Sequence, residues 1–178
     1  MIILKIYLVR HGQVNHNLKK IYSNEDEDLN ETGIKEAYEL REKLENISYD
    51  VIISSPLKRA LHTANIINRA NKDIIIDERL RERNPGNLSG KPLEVTNREE
   101  YWNYYSTIKY GTSEDIKEFF DKVKDFLDEL KTREYKSVII VAHSGISKAF
   151  YGYFNGIPKD GKFLNLGLNN CEVKEYIL

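Results

Sequence analysis

Apolar runs alternate with segments of helical spacing along most of this 178-residue chain. The run over residues 1–9 has Lys5 as its only charged member, and it predicts a strand that is buried on both faces. Shorter apolar runs predict further strands at residues 51–53, 74–76 and 138–142. The last of these gives the clearest strand pattern in the chain.

Apolar residues recur at helical spacing between these runs. The segment over residues 30–44 is predicted to be a helix with Asn30 as its N-cap. The next helix is expected to start around residues 54–56, with Pro56 near its first position. A long amphipathic helix is predicted over residues 113–131, and a last helix follows the final strong strand.

Two segments have weaker patterns. Residues 77–112 are the least regular, and residues 163–178 are predicted to form two short strands around the turn-prone pair Asn169-Asn170. The alternation of strands and helices predicts an α/β fold, a three-layer α/β/α sandwich around a mostly parallel central sheet. Because no linker or repeat is visible, residues 1–178 are expected to form a single domain.

Composition narrows the possible partners. The formal net charge of −1, with 31% charged residues, gives no argument for a nucleic acid or an anionic membrane as partner. The single cysteine, Cys171, excludes an intrachain disulfide and a cysteine-based metal cluster. No signal peptide or run of transmembrane length is visible, so a cytoplasmic protein is expected.

Chemistry is expected where the strands end. Arg10, His11 and Gly12 follow the first strand, and His143 follows the strand over residues 138–142. Because the carboxyl ends of parallel strands share one edge of a sheet, the two histidines can meet there. Arg59 lies near the start of a helix, where N–H groups and the helix dipole favour anions. Together these residues describe a phosphate site.

A carboxylate is also available for proton transfer. Glu82 lies in a glycine-punctuated loop after the third strand and could supply a general acid. Asp77, Glu78 and Glu94 are nearby alternatives.

Five sequence blocks occur along the chain in a specific order and with specific spacing. They are Arg10-His11-Gly12 with Asn17, Leu29-Asn30 with Gly33 and Ala37, Ser54-Ser55-Pro56-Leu57-Lys58-Arg59-Ala60 with Thr63-Ala64, Leu80-Arg81-Glu82-Arg83 with Gly86 and Gly90, and Ala142-His143-Ser144-Gly145. In these blocks the chain resembles the histidine phosphatase superfamily, which includes the cofactor-dependent phosphoglycerate mutases. The resemblance covers nearly the full length and implies a phosphoglycerate mutase-like fold.

The resemblance also implies catalytic roles. His11 becomes phosphorylated, and Glu82 protonates the leaving oxygen and later activates water. Neither a metal nor a cofactor is required, and the substrate is a small phosphomonoester. The residues expected to bind the phosphoryl group are Arg10, Asn17, Arg59, His143 and Ser144.

Several further residues depart from the family pattern or have more than one possible role. Gln13 stands where many relatives have Glu, and Val14 where a small hydroxyl residue is common. Ser23 has the spacing of a hydroxyl residue that contacts substrate in relatives, while Arg83 could grip the substrate or form a surface salt bridge. The aromatic residues over 101–110 could line the leaving-group pocket or pack under an irregular loop.

Other polar residues are expected to be ordinary. His16 and His62 are interpreted as structural, with His62 partly exposed on a helix. The acidic run over residues 25–28 is predicted to be a solvated loop that discourages polyanionic substrates.

Three functions compete: a phosphatase, a phosphoglycerate mutase, and a non-catalytic phosphate-binding relative. The phosphatase branch is preferred over a mutase because residues 91–111 form only a short segment. In that segment Arg98 is followed by Glu99 and Glu100, which are expected to repel a substrate carboxylate. The non-catalytic alternative is disfavoured because every chemical position is filled. The oligomeric state is not predicted.

Overall fold

The computed structural model describes residues 3–178. Its sheet has five strands in the order β3-β2-β4-β1-β5. Strands β1 to β4 run parallel to one another, and β5 pairs antiparallel with β1. The predicted mostly parallel sheet is therefore confirmed. The strands are β1 (Lys5–Arg10), β2 (Val51–Ser54), β3 (Ile74–Ile76), β4 (Ser137–Ala142) and β5 (Val173–Ile177).

Helices cover both faces of this sheet. They are α1 (Asn15–Lys19), α2 (Glu31–Lys43), α3 (Lys58–Ile67), α4 (Arg98–Tyr101), α5 (Ile116–Leu130) and α6 (Ser144–Asn155). Helices α2 and α3 pack on one face, against Val9, Ile52 and Val141. Helices α5 and α6 pack on the other, against residues such as Leu8 and Ile140. Because side chains alternate along each strand, the central strands bury apolar residues in both directions.

Capping side chains define two helix starts. Asn30 accepts a hydrogen bond from the Gly33 amide at 2.8 Å, which confirms it as the N-cap of α2. Asp115 caps α5 in the same way. The expected start of α3 was slightly early, because Leu57 is its N-cap and Pro56 lies before the helix.

The prediction for residues 163–178 was partly wrong. Only β5 forms there, while Leu164–Leu166 is a 3₁₀ turn. The Phe163 side chain is fully buried, and its amide donates to the Trp102 carbonyl, so this segment packs against the core rather than pairing as a strand. At the other end, β1 begins at Lys5, and the predicted strand residues Met1 and Ile2 lie outside the described residues.

Residues 77–112 are irregular, as predicted. They contain α4 and three 3₁₀ turns, Glu78–Leu80, Gly86–Leu88 and Leu93–Val95. Tyr101 and Trp102 anchor this segment in the core that α5 and α6 share. Within residues 3–178, no helix combines the length and the apolar character needed to cross a membrane.

Candidate active site

The two histidines predicted at strand ends lie side by side. Strands β1 and β4 are adjacent, with Arg10 in register with Ala142, so the next residue of each strand is a histidine. The rings of His11 and His143 are 5.1 Å apart between centroids, and both are buried. The sheet therefore sets their relative position.

A hydrogen bond fixes the tautomer of His11. Its Nδ1 lies 2.7 Å from the Gly12 carbonyl oxygen, which can only accept, so Nδ1 carries the proton and donates. The other nitrogen, Nε2, keeps its lone pair when the ring is neutral. Burial, followed by the charges of Arg59 and Arg10, holds the pKa of His11 well below 6.5. The ring is thus neutral and nucleophilic at neutral pH.

His143 is oriented from a third strand. Its Nε2 shares a hydrogen bond with the Ser55 hydroxyl at 2.8 Å, and Ser55 directly follows β2. Its Nδ1 is buried and has no hydrogen-bond partner among the described residues. Burial, followed by the charge of Arg59, holds the pKa of His143 well below 6.5, so this ring is also neutral.

Two guanidinium groups flank the histidines and lack anionic partners. Arg10 donates to the Leu168 carbonyl and Arg59 to the Asn24 carbonyl, each at 2.8 Å through Nη1. Neither arginine forms an ion pair with any residue in the described range 3–178, and the Nε of each is buried without a partner. Since a buried cation is costly without a counter-charge, the pair is suited to bind an anion.

Asn17 is held by a residue that the sequence reasoning missed. The Nδ2 of Asn170 donates to Oδ1 of Asn17 at 3.2 Å and to the His11 carbonyl at 3.0 Å. Oδ1 of Asn17 also accepts from the Val14 amide, so its own amide hydrogens remain available to the cavity that it lines. Ser144, the first residue of α6, lines the same cavity.

Glu82 lines the cavity with both oxygens anchored. Oε2 accepts from the Gly145 amide and Oε1 from the Arg83 amide, each at 2.9 Å. The alternatives have other contacts: Asp77 binds Arg79, and the exposed Glu78 pairs with Arg81. None of Asp77, Glu78 and Glu94 lines the cavity, so its geometry favours Glu82 for proton transfer.

The cavity holds about 520 Å³ and has an aromatic wall. Tyr22, Tyr101 and Trp102 line it. Tyr104, in contrast, packs edge-on against Phe120, and Tyr105 is exposed. The aromatic cluster therefore divides between the two predicted roles, pocket lining and loop packing.

The three residues that could contact substrate, Gln13, Ser23 and Arg83, lie in different surroundings. The Gln13 side chain accepts from Asn30 at 3.1 Å and does not line the cavity, whereas Ser23 does. Arg83 lines it too, but its Nε donates to the Glu114 carbonyl and its guanidinium stacks 4.0 Å from the Tyr101 ring centroid. Arg83 is therefore part of the cavity wall, where Glu114 and Tyr101 hold its guanidinium, rather than a partner in a surface salt bridge.

The acidic run over residues 25–28 is a loop, as predicted, but it is only partly solvated: Glu25 and Asp26 are exposed, whereas Glu27 and Asp28 are not. Glu27 contacts His16, Asp28 contacts His62 at 2.9 Å, and Glu25 pairs with Arg81 at 3.2 Å. Contacts with α1, α3 and Arg81 thus hold this segment, and Glu25 lines the cavity. His16 itself lines the cavity.

The electrostatic argument from Glu99 and Glu100 was also wrong. Arg98 lines the cavity, but neither glutamate does. Glu99 pairs with Lys162 at 2.9 Å on the surface. In a helix, successive side chains point in different directions, so residues that are adjacent in sequence face different surroundings.

Within residues 3–178, no cluster of three or more histidine, cysteine or acidic side chains is arranged to hold a metal ion.

The sequence model of the histidine phosphatase superfamily (branch 1) matches residues 6–177.

Two relatives and one solved structure illustrate the similarity. A metal-independent phosphoserine phosphatase of Arabidopsis thaliana is 30% identical, over 97% of this chain and 78% of that protein. A protein of Erwinia tasmaniensis named "Probable phosphoglycerate mutase GpmB" is 29% identical, over 96% and 83%. A phosphoserine phosphatase mutant of Entamoeba histolytica, solved with phosphoserine, superposes with a TM-score of 0.80 at 26% identity, over 97% and 89%.

Proposed function

The chain belongs to the histidine phosphatase superfamily, and we propose that it hydrolyses small phosphomonoesters through a phosphohistidine on His11. Phosphatases of this type act without a metal, as the Arabidopsis relative's name states for that protein. The observation that carries the proposal is the pairing of an unprotonated His11 Nε2 with two guanidinium groups that have no anionic partner.

In the first step, His11 Nε2 attacks phosphorus and the bond to the leaving oxygen breaks. Arg10 and Arg59 offset the charge on the phosphoryl oxygens, because phosphoryl transfer depends on positioning and charge neutralisation. Glu82, in its acid form, gives its proton to the leaving alkoxide. His143 lies beside the His11 ring and is placed to contact a phosphoryl oxygen.

In the second step, water attacks the phosphohistidine. The Glu82 carboxylate takes a proton from that water, the N–P bond breaks, and inorganic phosphate leaves. His11 returns to its neutral form, which the two arginines and burial favour. The cycle is thus balanced in protons and needs no other reactant.

Rapid acid-free quenching of the enzyme with a phosphorus-32-labelled ester tests this proposal. We expect an acid-labile, base-stable label that maps to His11, and phosphate release that continues in the presence of a chelator. His11→Ala should lose the label and almost all activity. Arg69→Ala, whose exposed side chain pairs with Glu42, is the control and should retain both. A label on a serine, or equal activity of His11→Ala, would refute the mechanism.

A mutase is the second candidate, because the Arg98 side chain lines the cavity while Glu99 does not. A cationic cavity accepts a phosphoglycerate more readily than the sequence suggested.

Organisation as a single domain over residues 1–178 and a cytoplasmic location stay predictions.

A further inference from the structure

A buried lysine lines the cavity in addition to the arginines. Lys148 lies on the second turn of α6 and is 4% exposed. Its ammonium donates to the Ser144 hydroxyl at 2.9 Å and lies 4.7 Å from the Trp102 ring centroid. It forms no ion pair with any side chain in the described range 3–178. An ammonium has three donors, so this group is buried with most of its hydrogen-bonding capacity unused.

Gly167 leaves space for this ammonium because it has no side chain. A Cβ added to Gly167 would lie 2.5 Å from Lys148 Nζ and 2.4 Å from the Ser144 hydroxyl. The next residue, Leu168, accepts the hydrogen bond from Arg10. The same turn thus holds Arg10 and admits the lysine head, which indicates a built site rather than a surface lysine folded inward by chance.

The other charges of the cavity do not neutralise Lys148. Both oxygens of Glu82 accept backbone amides, and Glu114 pairs with Lys122 at 2.8 Å. Arg83 and Arg98 bind neutral oxygens rather than carboxylates. This end of the cavity therefore has an excess of positive charge.

Lys148 lies on the side of the cavity where the leaving group departs. Trp102, whose ring is beside the ammonium, also packs against Gly145, the residue whose amide binds Glu82. Glu82 is the proposed donor to the leaving oxygen, and Ser144 is an expected phosphoryl-binding residue, so Lys148 lies near the point where the phosphoryl group and the leaving alcohol meet.

We propose that Lys148 binds an acidic group of the leaving alcohol, and that the preferred substrates are small phosphomonoesters carrying a carboxylate. This inference rests on the proposed function. A carboxylate at this point supplies the counter-charge that the buried ammonium lacks, and charge-assisted hydrogen bonds are the stronger ones.

The protonation of Lys148 makes this recognition pH-dependent. Burial lowers the pKa of Lys148 to about 8, Glu82 opposes this shift, and Arg10 and Arg98 add to it. The remaining groups beside the ammonium, Ser144 and Trp102, carry no charge. Preference for an acidic leaving group is therefore strongest well below pH 8, where the ammonium is protonated, and declines as the pH rises through about 8.

A matched pair of esters tests the proposal. 3-Phosphoglycerate and glycerol 3-phosphate differ by a carboxylate in place of a hydroxymethyl group. In Lys148→Met, we expect kcat/KM for 3-phosphoglycerate to fall roughly 10- to 100-fold, the range for a hydrogen bond to a charged group. The value for glycerol 3-phosphate should change by less than about threefold. Lys124→Met, on the exposed side of α5, is the control and should leave both unchanged.

Gly167→Ala gives a second variant, because its methyl group displaces the ammonium without removing it. The same methyl group lies 2.4 Å from the Ser144 hydroxyl, so both esters should lose activity, with the larger loss for 3-phosphoglycerate. In the wild type, the ratio of the two kcat/KM values should fall as the pH passes about 8. Equal losses on both esters, no loss on either, or a ratio that is flat from pH 6.5 to 9.5 would overturn the proposal.

Binding measurements separate this inference from the proposed function. Calorimetry with the His11→Ala protein should show tighter binding of 3-phosphoglycerate than of glycerol 3-phosphate, and Lys148→Met in that background should abolish the difference. If the His11→Ala protein shows this preference but the wild type hydrolyses neither ester, the phosphatase is refuted and the role of Lys148 is retained. Hydrolysis of both esters by the wild type without this binding preference would refute the role of Lys148 and retain the phosphatase.

Discussion

The backbone amide of Gly145 donates to Oε2 of Glu82 at 2.9 Å, and a Cβ on Gly145 would lie only 2.0 Å from the other oxygen, Oε1. A glycine at this position thus both holds the carboxylate and leaves room for it. Because Gly145 lies in the first turn of α6, two residues after His143, Glu82 is tied to the strand end that carries one of the two histidines.

Replacing the carboxylate should have an effect that depends on the leaving group. We expect Glu82→Gln to lose about 10²- to 10⁴-fold in kcat on alkyl phosphates, the usual contribution of general acid–base catalysis. Nitrophenyl phosphate should be much less affected, because its leaving oxygen needs little protonation. Steady-state kinetics on both substrates checks this, with Asp77→Asn as the control. Equal losses on both would indicate a binding role for Glu82.

Filling the space at Gly145 should imitate that change. In Gly145→Ala the methyl group displaces the Glu82 carboxylate while leaving its chemistry intact. A displacement of about 1 Å can cost about 10²-fold in rate, so alkyl phosphates should suffer by roughly that factor. Nitrophenyl phosphate should still phosphorylate His11, which quench experiments measure. A normal rate on alkyl phosphates would show that Glu82 does not need this position.

The buried histidines should make the fold sensitive to acid. The pKa values of His11 and His143 are held well below 6.5 in the folded protein, chiefly by burial. Below pH 6.5 the unfolded chain therefore binds more protons than the folded one, and the free energy of unfolding falls as the pH decreases. Each ring contributes up to about 1.4 kcal/mol per pH unit.

Urea unfolding between pH 7 and 5 measures this dependence. The slope should be smaller in His11→Asn and His143→Asn than in the wild type, and unchanged in Lys124→Met, whose side chain is exposed on α5. Identical slopes in all four proteins would contradict the assignment of neutral buried rings.

Phosphate should be released rather than returned to the product. A cavity of about 520 Å³ leaves room for water beside a small alcohol, since one water occupies about 30 Å³. Phosphorus NMR of the enzyme with 3-phosphoglycerate and its bisphosphate should show inorganic phosphate as the main product. Rapid formation of 2-phosphoglycerate with little phosphate would favour the mutase.

The strand-end residues could be predicted because their signal is local. Arg10, His11 and His143 interrupt apolar runs, and a parallel sheet brings such interruptions to one edge. Asn170 gave no such signal, because its partner Asn17 lies 153 residues away. The acidic run over residues 25–28 looked solvated for the same reason: the histidines that pair with it belong to other elements.

Lys148 was missed for a different physical reason. A lysine in an amphipathic helix is normally exposed, and its burial here depends on a glycine in a distant turn and on one aromatic ring. The C-terminal error arose because apolar residues in 163–166 looked like a strand, whereas Phe163 fills the core. The local sequence pattern does not distinguish apolar residues that pair in a strand from apolar residues that pack in the core.

Strand β4 lies between β1 and β2, although it follows both by many residues along the chain. During synthesis, β1 and β2 therefore emerge without the strand that joins them, and His11 lacks both His143 and the helix that holds Glu82. Pairings between such distant segments form slowly. Because the proposed site needs His143, we expect chains that lack β4 and α6 to be inactive toward phosphate esters.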